Sequence, residues 1–318
     1  MVADLFLRST MVDAKGSGFI LDGGRMNHFP IIRRVLDRIF VEMLYKYGYS
    51  FDQVSQKMRA YLQHMADFYH GRSGPIDFAH PFYRFAYVLI YLPGRVVLLK
   101  QIFRQCSGLT KLLSEKILAG QQITGASLGG GPGTELLALK SYAYESMYKD
   151  GVDLQFHFTA CDFVKAWEDV WWAIDTETNM FLVQQEVPKA LVVSDILCGD
   201  LAGPAQGTNK LHGKDFYIMS YVISEVSNVP TFKQFLDVLV QSAPRGAVFL
   251  AVDISPVSVV NKAIEVFRST GLNVFALSYI DDRVINPAEI LHFAFYTRKL
   301  NWNIQENFKA FWLYGVKP

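Results

Sequence analysis

The pattern of hydrophobic and polar positions divides the chain near residue 120. Before that point, apolar residues recur every three or four positions, as on the buried face of an amphipathic helix. Ser50 and Gln53 form a capping-box pattern at the start of one such run. The predicted helical runs are residues 31–47, 50–69, 81–105 with a break at Pro93–Gly94, and 109–118. Residues 1–30 are glycine-rich and aperiodic, so we expect a loose arm or substrate-side cover there.

After Gly120, short β-rich runs alternate with helical ones, which is typical of a parallel sheet with crossover helices. The predicted strands are residues 123–129, 154–162, 190–197, 215–222, 247–254, 273–280 and 310–317. A segment longer than a hairpin requires separates the last two. The pattern therefore predicts an α/β protein with an N-terminal helical domain over residues 1–120 and a seven-stranded sheet domain over residues 121–318.

Composition fits a folded chain, since 51% of its 318 residues are hydrophobic. The most apolar stretch, Phe85–Lys100, is interrupted by Pro93, Gly94 and Arg95, so neither half is long enough to span a bilayer. The N-terminus lacks a secretory signal pattern, and we expect an intracellular, cytoplasmic protein without a membrane partner. Its three cysteines and seven histidines show no metal-ligand or disulfide spacing, so no metal is expected.

Charge is unevenly distributed. Residues 1–120 contain 16 Lys and Arg and 9 Asp and Glu, a net charge of +7. Residues 121–318 contain 15 Lys and Arg and 21 Asp and Glu, a net charge of −6. A basic half can meet an anionic partner such as RNA, whereas a solvated helical surface is the alternative. The arginines that could form a basic surface are Arg33, Arg34, Arg38, Arg84, Arg95 and Arg104.

The sequence "SLGGGPGTE" at residues 127–135 is the clearest chemical motif. A triphosphate-binding loop requires a lysine followed by Ser or Thr after its last glycine, but Gly133 is followed by Thr134 and Glu135. A dinucleotide-binding turn requires glycine at its sixth position, which is Thr134 when counted from Gly129. Both of these ligand classes are therefore disfavoured.

The spacing Gly129-x-Gly131-x-Gly133, at a predicted strand-to-helix turn, resembles the cofactor loop of the class I S-adenosylmethionine-dependent methyltransferases. The resemblance covers about residues 120–318 and implies a seven-stranded Rossmann-like methyltransferase sheet that binds S-adenosyl-L-methionine and S-adenosylhomocysteine. Glycines let the backbone approach a bulky ligand, and the helix N-terminus offers free N–H groups. The resemblance implies that Ser127, two residues before Gly129, contacts the methionine end of the cofactor; the family usually has an acidic residue there, and this chain departs from that pattern.

The resemblance also implies a role for residues at the ends of the next three strands. An acidic residue after strand two accepts hydrogen bonds from both ribose hydroxyls. An acidic residue after strand three faces the adenine amino group, and strand four ends near the transferred methyl group. The corresponding cofactor-binding residues are Asp162 with Phe163, Asp195 with Ile196, and Ser220. Each acid could instead be an ordinary helix cap, and that alternative stays open.

Catalytic residues are harder to identify. The segment "MSYVISEV" differs from the patterns used for amino methylation and contains no cysteine nucleophile. It is similar, together with "GGGPGT", to short segments of methyltransferase-like proteins of the mitochondrial small ribosomal subunit, although their iron–sulfur cysteine cluster is missing here. We expect Tyr221 and Glu225 to line the substrate side as catalytic residues; a core tyrosine and a helix-capping glutamate are the alternatives.

Three functions follow from these patterns. The first is a methyltransferase acting on RNA or on a protein, with the basic N-terminal helices contacting an RNA or ribosomal partner. The second is a small-molecule methyltransferase, for which the 24 Phe and 16 Tyr could build an aromatic pocket under the helical lid. The third is a non-catalytic protein that senses the cofactor or assists assembly. We expect the first of these functions, and the other two stay open as alternatives.

Overall fold

The computed structural model describes residues 26–69, 72–146, 156–184, 192–199, 208–226 and 229–318. Its N-terminal part is helical, as predicted. The helices are α1 (Phe29–Tyr47), α2 (Phe51–Tyr69), α3 (Pro81–Ile90), α4 (Leu92–Gln105) and α5 (Ser107–Leu118). The break within the third predicted run falls at Tyr91, because Pro93 sits in the first turn of α4, where a proline costs no helical hydrogen bond. The expectation for the N-terminal arm falls largely on residues outside these ranges.

The capping box predicted at the start of α2 is confirmed. The backbone N–H of Ser50 donates to Gln53 Oε1 at 2.8 Å, and the N–H of Gln53 donates to Ser50 Oγ at 3.3 Å. The two reciprocal bonds satisfy donors that the first helical turn leaves unpaired.

All seven predicted strands are present in one sheet, with the order β3-β2-β1-β4-β5-β7-β6. The strands are β1 (Ile123–Leu128), β2 (Phe156–Asp162), β3 (Val192–Cys198), β4 (Phe216–Ser220), β5 (Val248–Ile254), β6 (Asn273–Arg283) and β7 (Asn307–Val316). The intervening helices are α6 (Thr134–Ser146), α7 (Trp167–Gln184), α8 (Val229–Ser242), α9 (Val257–Ser269), α10 (Pro287–Ile290) and α11 (Ala294–Leu300). β1 to β5 are parallel and β7 is antiparallel to its neighbours. The predicted α/β fold class is confirmed.

The strand order places a ligand-binding crevice above β1 and β4. From β1 the chain moves to β2 and β3 on one side of the sheet, and then returns to β4 and β5 on the other side. The crossover connections on either side of this switch point leave the carboxyl ends of β1 and β4 uncovered, and open α/β sheets bind their ligands there.

The hydrophobic core crosses the predicted boundary at residue 120. One buried cluster contains Leu36 of α1, Leu99 of α4 and Leu139 of α6, together with one face of the sheet. Helices α8 and α9 cover the opposite face and enclose a second cluster. An ion pair of 2.7 Å between Lys100 Nζ and Glu145 Oε1 also joins α4 to α6. The boundary is thus a change from helices to sheet, and packing is continuous across it.

The segment between β6 and β7 joins the N-terminal helices. The hydroxyl of Tyr296 donates to Asp37 Oδ1 on α1 at 2.5 Å, and the guanidinium of Arg33 donates to the carbonyl oxygen of His292 at 3.1 Å. Arg33 also lies over the Tyr296 ring, 5.0 Å from its centroid. The predicted insertion therefore extends the helical layer built by the first part of the chain.

Within the described ranges, no helix by itself has the length and apolar character needed to cross a membrane. Only α3 and α4 taken together reach that length and composition, and they are bent by 50° where they meet.

Candidate cofactor site

The glycine-rich turn connects β1 to α6 at the crevice. Gly129, Gly131 and Gly133 have φ values of 72°, 45° and 91°, a region that side chains disfavour. The N–H of Gly129 donates to the carbonyl oxygen of Cys161 at 2.8 Å, which fixes the turn to the end of β2. A Cβ on Gly131 would meet open space, whereas one on Gly133 would lie 2.9 Å from the Trp171 ring. Gly131 thus faces the crevice and Gly133 packs against α7.

Asp162 ends β2 and holds this turn. Its Oδ2 accepts the N–H of Gly131 at 2.8 Å, and its Oδ1 accepts the N–H of Val164 at 2.9 Å. Burial raises the pKa of Asp162, and the backbone N–H donors oppose that rise. Each oxygen keeps acceptor capacity for one more hydrogen. Asp162 is therefore both a local cap and a potential acceptor for ligand hydroxyls.

A cavity of ≈ 190 Å³ lies at the carboxyl ends of β1, β2 and β4. Most of the sequence-predicted residues meet there. On the cofactor side its lining includes Gly129, Gly131, Asp162, Phe163 and Ser220, and on the substrate side it includes Tyr221 and Glu225. Ser127 and Gly133 lie beneath the turn and do not line the cavity.

Three aromatic residues from the helical half close the cavity. Tyr69 at the end of α2, Phe78 in the following loop and Tyr87 on α3 all line it, beside Trp167 at the start of α7. Sequence periodicity marks these side chains only as potential core residues, because nothing in their spacing identifies the cleft that they face. The N-terminal helices are thus part of the site.

Arg95 lies behind this aromatic wall. The side chain is buried, and its guanidinium carbon is 3.7 Å from the centroid of the Tyr221 ring. It also donates to the Tyr87 hydroxyl, while its Nε has no hydrogen-bond partner among the described residues. Burial by itself would lower the pKa of Arg95, but the surrounding tyrosines and Glu225 raise that pKa by a larger amount. The guanidinium therefore stays charged. A fixed positive charge therefore stands next to the cavity.

The segment after β4 presents Tyr221 and Glu225. Tyr221 has a φ of 60°, and its N–H donates to the carbonyl oxygen of Val252 at 2.7 Å. Burial raises the pKa of Tyr221 to about 12, so its hydroxyl is protonated at neutral pH. Glu225 reaches solvent at the mouth of the cavity. Burial of its carboxyl group by the surrounding protein, together with the charges of Asp253 and Asp162, raises the pKa of Glu225 to about 7, and the charge of Arg95 opposes this rise. Glu225 is thus poised to exchange a proton near neutral pH.

Sequence reasoning did not assign Glu135 to the site. This residue lies in the first turn of α6, directly after the glycine turn, and is only 2% exposed. Burial raises its pKa to about 7, opposed by the nearby hydroxyls of Ser220 and Ser127 and by the charge of Arg95. The signal was present as the last letter of "GGGPGTE", but an acid in a first helical turn is ordinary.

The position expected for Asp195 and Ile196 is corrected. Both lie in the middle of β3, where Asp195 pairs with Thr159, and β3 continues to Cys198, which pairs with Asp162. The Asp195 carboxylate lies 3.7 Å from the ammonium of Lys210. Neither residue lines the cavity. The site assignment treats Asp195 as the end of the strand, although the predicted strand runs to residue 197, and the structure extends the strand to Cys198.

The arginines expected to form a basic surface are mostly engaged elsewhere. Arg33 pairs with Asp37 at 2.8 Å, Arg34 with Glu177 at 3.2 Å and Arg104 with Glu145 at 2.5 Å, and Arg84 and Arg95 are buried. Of the six, Arg38 and Arg104 are exposed, and Arg104 is held in its ion pair with Glu145. The charge excess of the N-terminal half therefore does not form a row of free guanidinium groups along these helices.

Neither a family model nor a curated protein matches the chain. Solved structures resemble it at low identity. A precorrin-6y C5,15-methyltransferase from Geobacter metallireducens is 8% identical, with a TM-score of 0.36 over 62% of this chain and 81% of that one. An S-adenosylmethionine-dependent methyltransferase from Methanosarcina mazei is 8% identical, with a TM-score of 0.42 over 62% and 92%. The N-methyltransferase NodS from Bradyrhizobium japonicum, solved with S-adenosyl-L-homocysteine, is 9% identical, with a TM-score of 0.37 over 66% and 85%.

The strand order and the glycine turn after β1 carry the assignment of fold. The chain has a seven-stranded Rossmann-like methyltransferase fold.

Proposed function

We propose that this protein is an S-adenosylmethionine-dependent methyltransferase. The observation that carries the proposal is the cavity at the switch point of the sheet, where Asp162 both lines the space and hydrogen-bonds to Gly131 of the turn. When bound, the cofactor supplies an electrophilic methyl group for in-line displacement. The protein's part is to bind, to orient and to accept a proton.

The residues present fit such a cofactor. The open space at Gly131 leaves room for a ligand to lie against the backbone, and the free acceptor capacity of Asp162 suits two ribose hydroxyls. Phe163 follows Asp162 directly and is 69% exposed, which is unusual for a phenylalanine. An exposed aromatic ring at this position is suited to covering a purine ring. Ser220, the last residue of β4, also lines the cavity.

Glu225 is the proposed base. Its raised pKa makes the carboxylate a stronger base, and the ionised fraction present at pH 7 can accept a proton from the methyl acceptor. Tyr221, held by its backbone bond to Val252 and by the stacked Arg95, positions the acceptor beside it.

A small-molecule acceptor is favoured over RNA. The cavity is covered by Tyr69, Phe78 and Tyr87, which suits an apolar or flat small acceptor. The expected RNA surface loses support because its arginines are paired or buried. RNA and protein acceptors, with the similarity to ribosome-associated proteins, stay predictions that the following experiment distinguishes.

The test is transfer of a radiolabelled methyl group from the cofactor into a cell extract by the purified protein. The extract is then divided into a small-molecule fraction and a macromolecular fraction, and the latter is digested with nuclease or protease. We expect label in the small-molecule fraction. Nuclease-sensitive label would replace this acceptor with RNA, and protease-sensitive label would replace it with protein. Cofactor binding without any transfer would favour the non-catalytic alternative.

A further inference from the structure

A buried polar cluster, formed by Ser127 and Glu135, lies beneath the glycine turn and has no part in the proposed proton transfer. Ser127 is fully buried at the end of β1, and Glu135 is 2% exposed in α6. Neither Ser127 Oγ nor Glu135 Oε2 has a hydrogen-bond partner among the described residues. An unsatisfied buried polar atom costs about 1–3 kcal/mol, so such atoms are commonly completed by a ligand or a water.

The cluster adjoins the cavity. The Glu135 carboxyl group lies near the hydroxyls of Ser127 and Ser220, and Ser220 lines the cavity together with Gly129 and Gly131. The unsatisfied atoms of this cluster are carboxylate or hydroxyl oxygens, which accept hydrogen bonds. A cation with several N–H donors could donate to them. An ammonium group is such a cation.

We propose that the carboxylate of Glu135 binds the α-ammonium group at the amino-acid end of the cofactor, assisted by Ser127 and Ser220. Glu135 thereby supplies the negative charge that the resembled family carries at position 127, where this chain has serine. The inference rests on the proposed cofactor, and it explains how a chain that lacks that acid can still bind it.

The protonation of Glu135 fits this role. Burial raises its pKa to about 7, so the ligand-free carboxyl is partly neutral, and an arriving ammonium favours the charged form. The other groups facing it are Arg95 on α4, whose charge favours the carboxylate, and Tyr87 on α3, which is neutral at this pH. Ligand binding is then expected to release a proton and to strengthen as pH rises from about 6 to about 7.5, below the usual range of α-amino pKa values.

The test compares two ligands by calorimetry. S-Adenosylhomocysteine carries the amino-acid end, and 5′-methylthioadenosine has the same nucleoside and sulfur without it. We expect Glu135→Gln to weaken S-adenosylhomocysteine binding about tenfold to hundredfold, the loss typical of a hydrogen bond to a charged group. Binding of 5′-methylthioadenosine should change by less than about twofold, since that ligand has no ammonium group. The pH dependence of S-adenosylhomocysteine binding should also disappear in the variant.

Glu115→Gln on α5 is the matched control, because this glutamate is exposed and remote from the cavity. Ser127→Ala is the second variant, for use if Glu135→Gln does not fold, and it should weaken only the ligand that has the amino-acid end. Equal losses for both ligands, or none for either, would overturn the role of Glu135. If the unmodified protein binds neither ligand, the proposed function fails instead.

Discussion

The proposals give Glu225 and Glu135, two carboxyl groups near one cleft, different tasks. Both have a pKa raised to about 7, chiefly by the surrounding protein. Glu225 faces the cavity mouth, whereas Glu135 is enclosed beneath the glycine turn. Their positions, and not their pKa values, distinguish the proposed base for the acceptor from the proposed binding group for the cofactor.

The proposed role of Glu225 predicts how the methyl-transfer rate depends on pH. The carboxylate is the active form, so the methyl-transfer rate should rise as pH increases through about 7. Glu225→Gln should lower kcat by about 10²–10⁴-fold, the usual contribution of a general base, and flatten the profile. S-Adenosylhomocysteine binding should be nearly unchanged. An unaltered profile in steady-state assays of the variant would exclude Glu225 as the base.

Gly131 and Gly133 predict different costs for the same substitution. Both have positive φ, so alanine at either position should lower the free energy of unfolding by about 1–2 kcal/mol. Gly133→Ala should cost about 1–3 kcal/mol more, because its Cβ would lie 2.9 Å from the Trp171 ring. Gly131→Ala should add no steric cost to this backbone strain and should weaken ligand binding, since its Cβ would enter the open space of the crevice. Urea denaturation measures the difference, and equal stability of the two variants would contradict this account.

Sequence spacing identified the residues whose role depends on local backbone. The glycines and Asp162 follow strands at fixed distances, so a strand-to-helix pattern was enough to bring them together. Glu135, Tyr69 and Tyr87 could not be identified in this way. Their roles depend on what packs against them, and amphipathic periodicity does not specify the partner of a buried face.

Among the elements, strands and helices were predicted well and their ends less well. All seven strands follow β-rich runs, but the site assignment placed Asp195 at the end of β3, which reaches Cys198. The difference matters because parallel strands meet the ligand only at their carboxyl ends. Asp195, paired with Thr159 in mid-strand, consequently lies away from the cavity.

Helix α4 carries Arg95, and we expect the flat guanidinium group of this residue to stabilise the fold by stacking on Tyr221. Arg95→Lys keeps the charge but loses the flat group that lies 3.7 Å from the Tyr221 ring centroid. We expect a loss of about 2 kcal/mol in unfolding free energy, the scale of a desolvated cation–π contact. Arg38→Lys, on the exposed face of α1, is the control and should be neutral. Equal unfolding midpoints for both variants would show that the stacking contributes nothing.

At the scale of the whole molecule, the predicted helical and sheet parts share one hydrophobic core. The cluster that joins Leu36, Leu99 and Leu139 would be opened by separating residues 1–120 from residues 121–318. We therefore expect residues 121–318 alone to show no cooperative thermal transition, because one face of the sheet and of α6 would be exposed. Calorimetric scanning measures this, and a sharp transition near that of the full chain would indicate independent domains.

The shared core also explains the limit of sequence reasoning at this scale. Composition and periodicity separated a helical half from an α/β half, and the charge asymmetry suggested an RNA surface on the former. The structure instead pairs or buries most of those arginines and directs Tyr69, Phe78 and Tyr87 toward the cavity. Tertiary packing decided which side chains reach the surface, and a single sequence carries little information about that.

The most direct test of the central claim is calorimetric titration of the protein with S-adenosylhomocysteine. We predict saturable binding at one site, retained in Asp195→Ala, since that residue lies away from the cavity. Asp162→Ala should weaken binding at least about tenfold, because it removes the proposed ribose acceptor and the bond that holds Gly131. Absence of binding by the unmodified protein, or equal affinity of the Asp162→Ala variant, would contradict the cofactor site proposed for this fold.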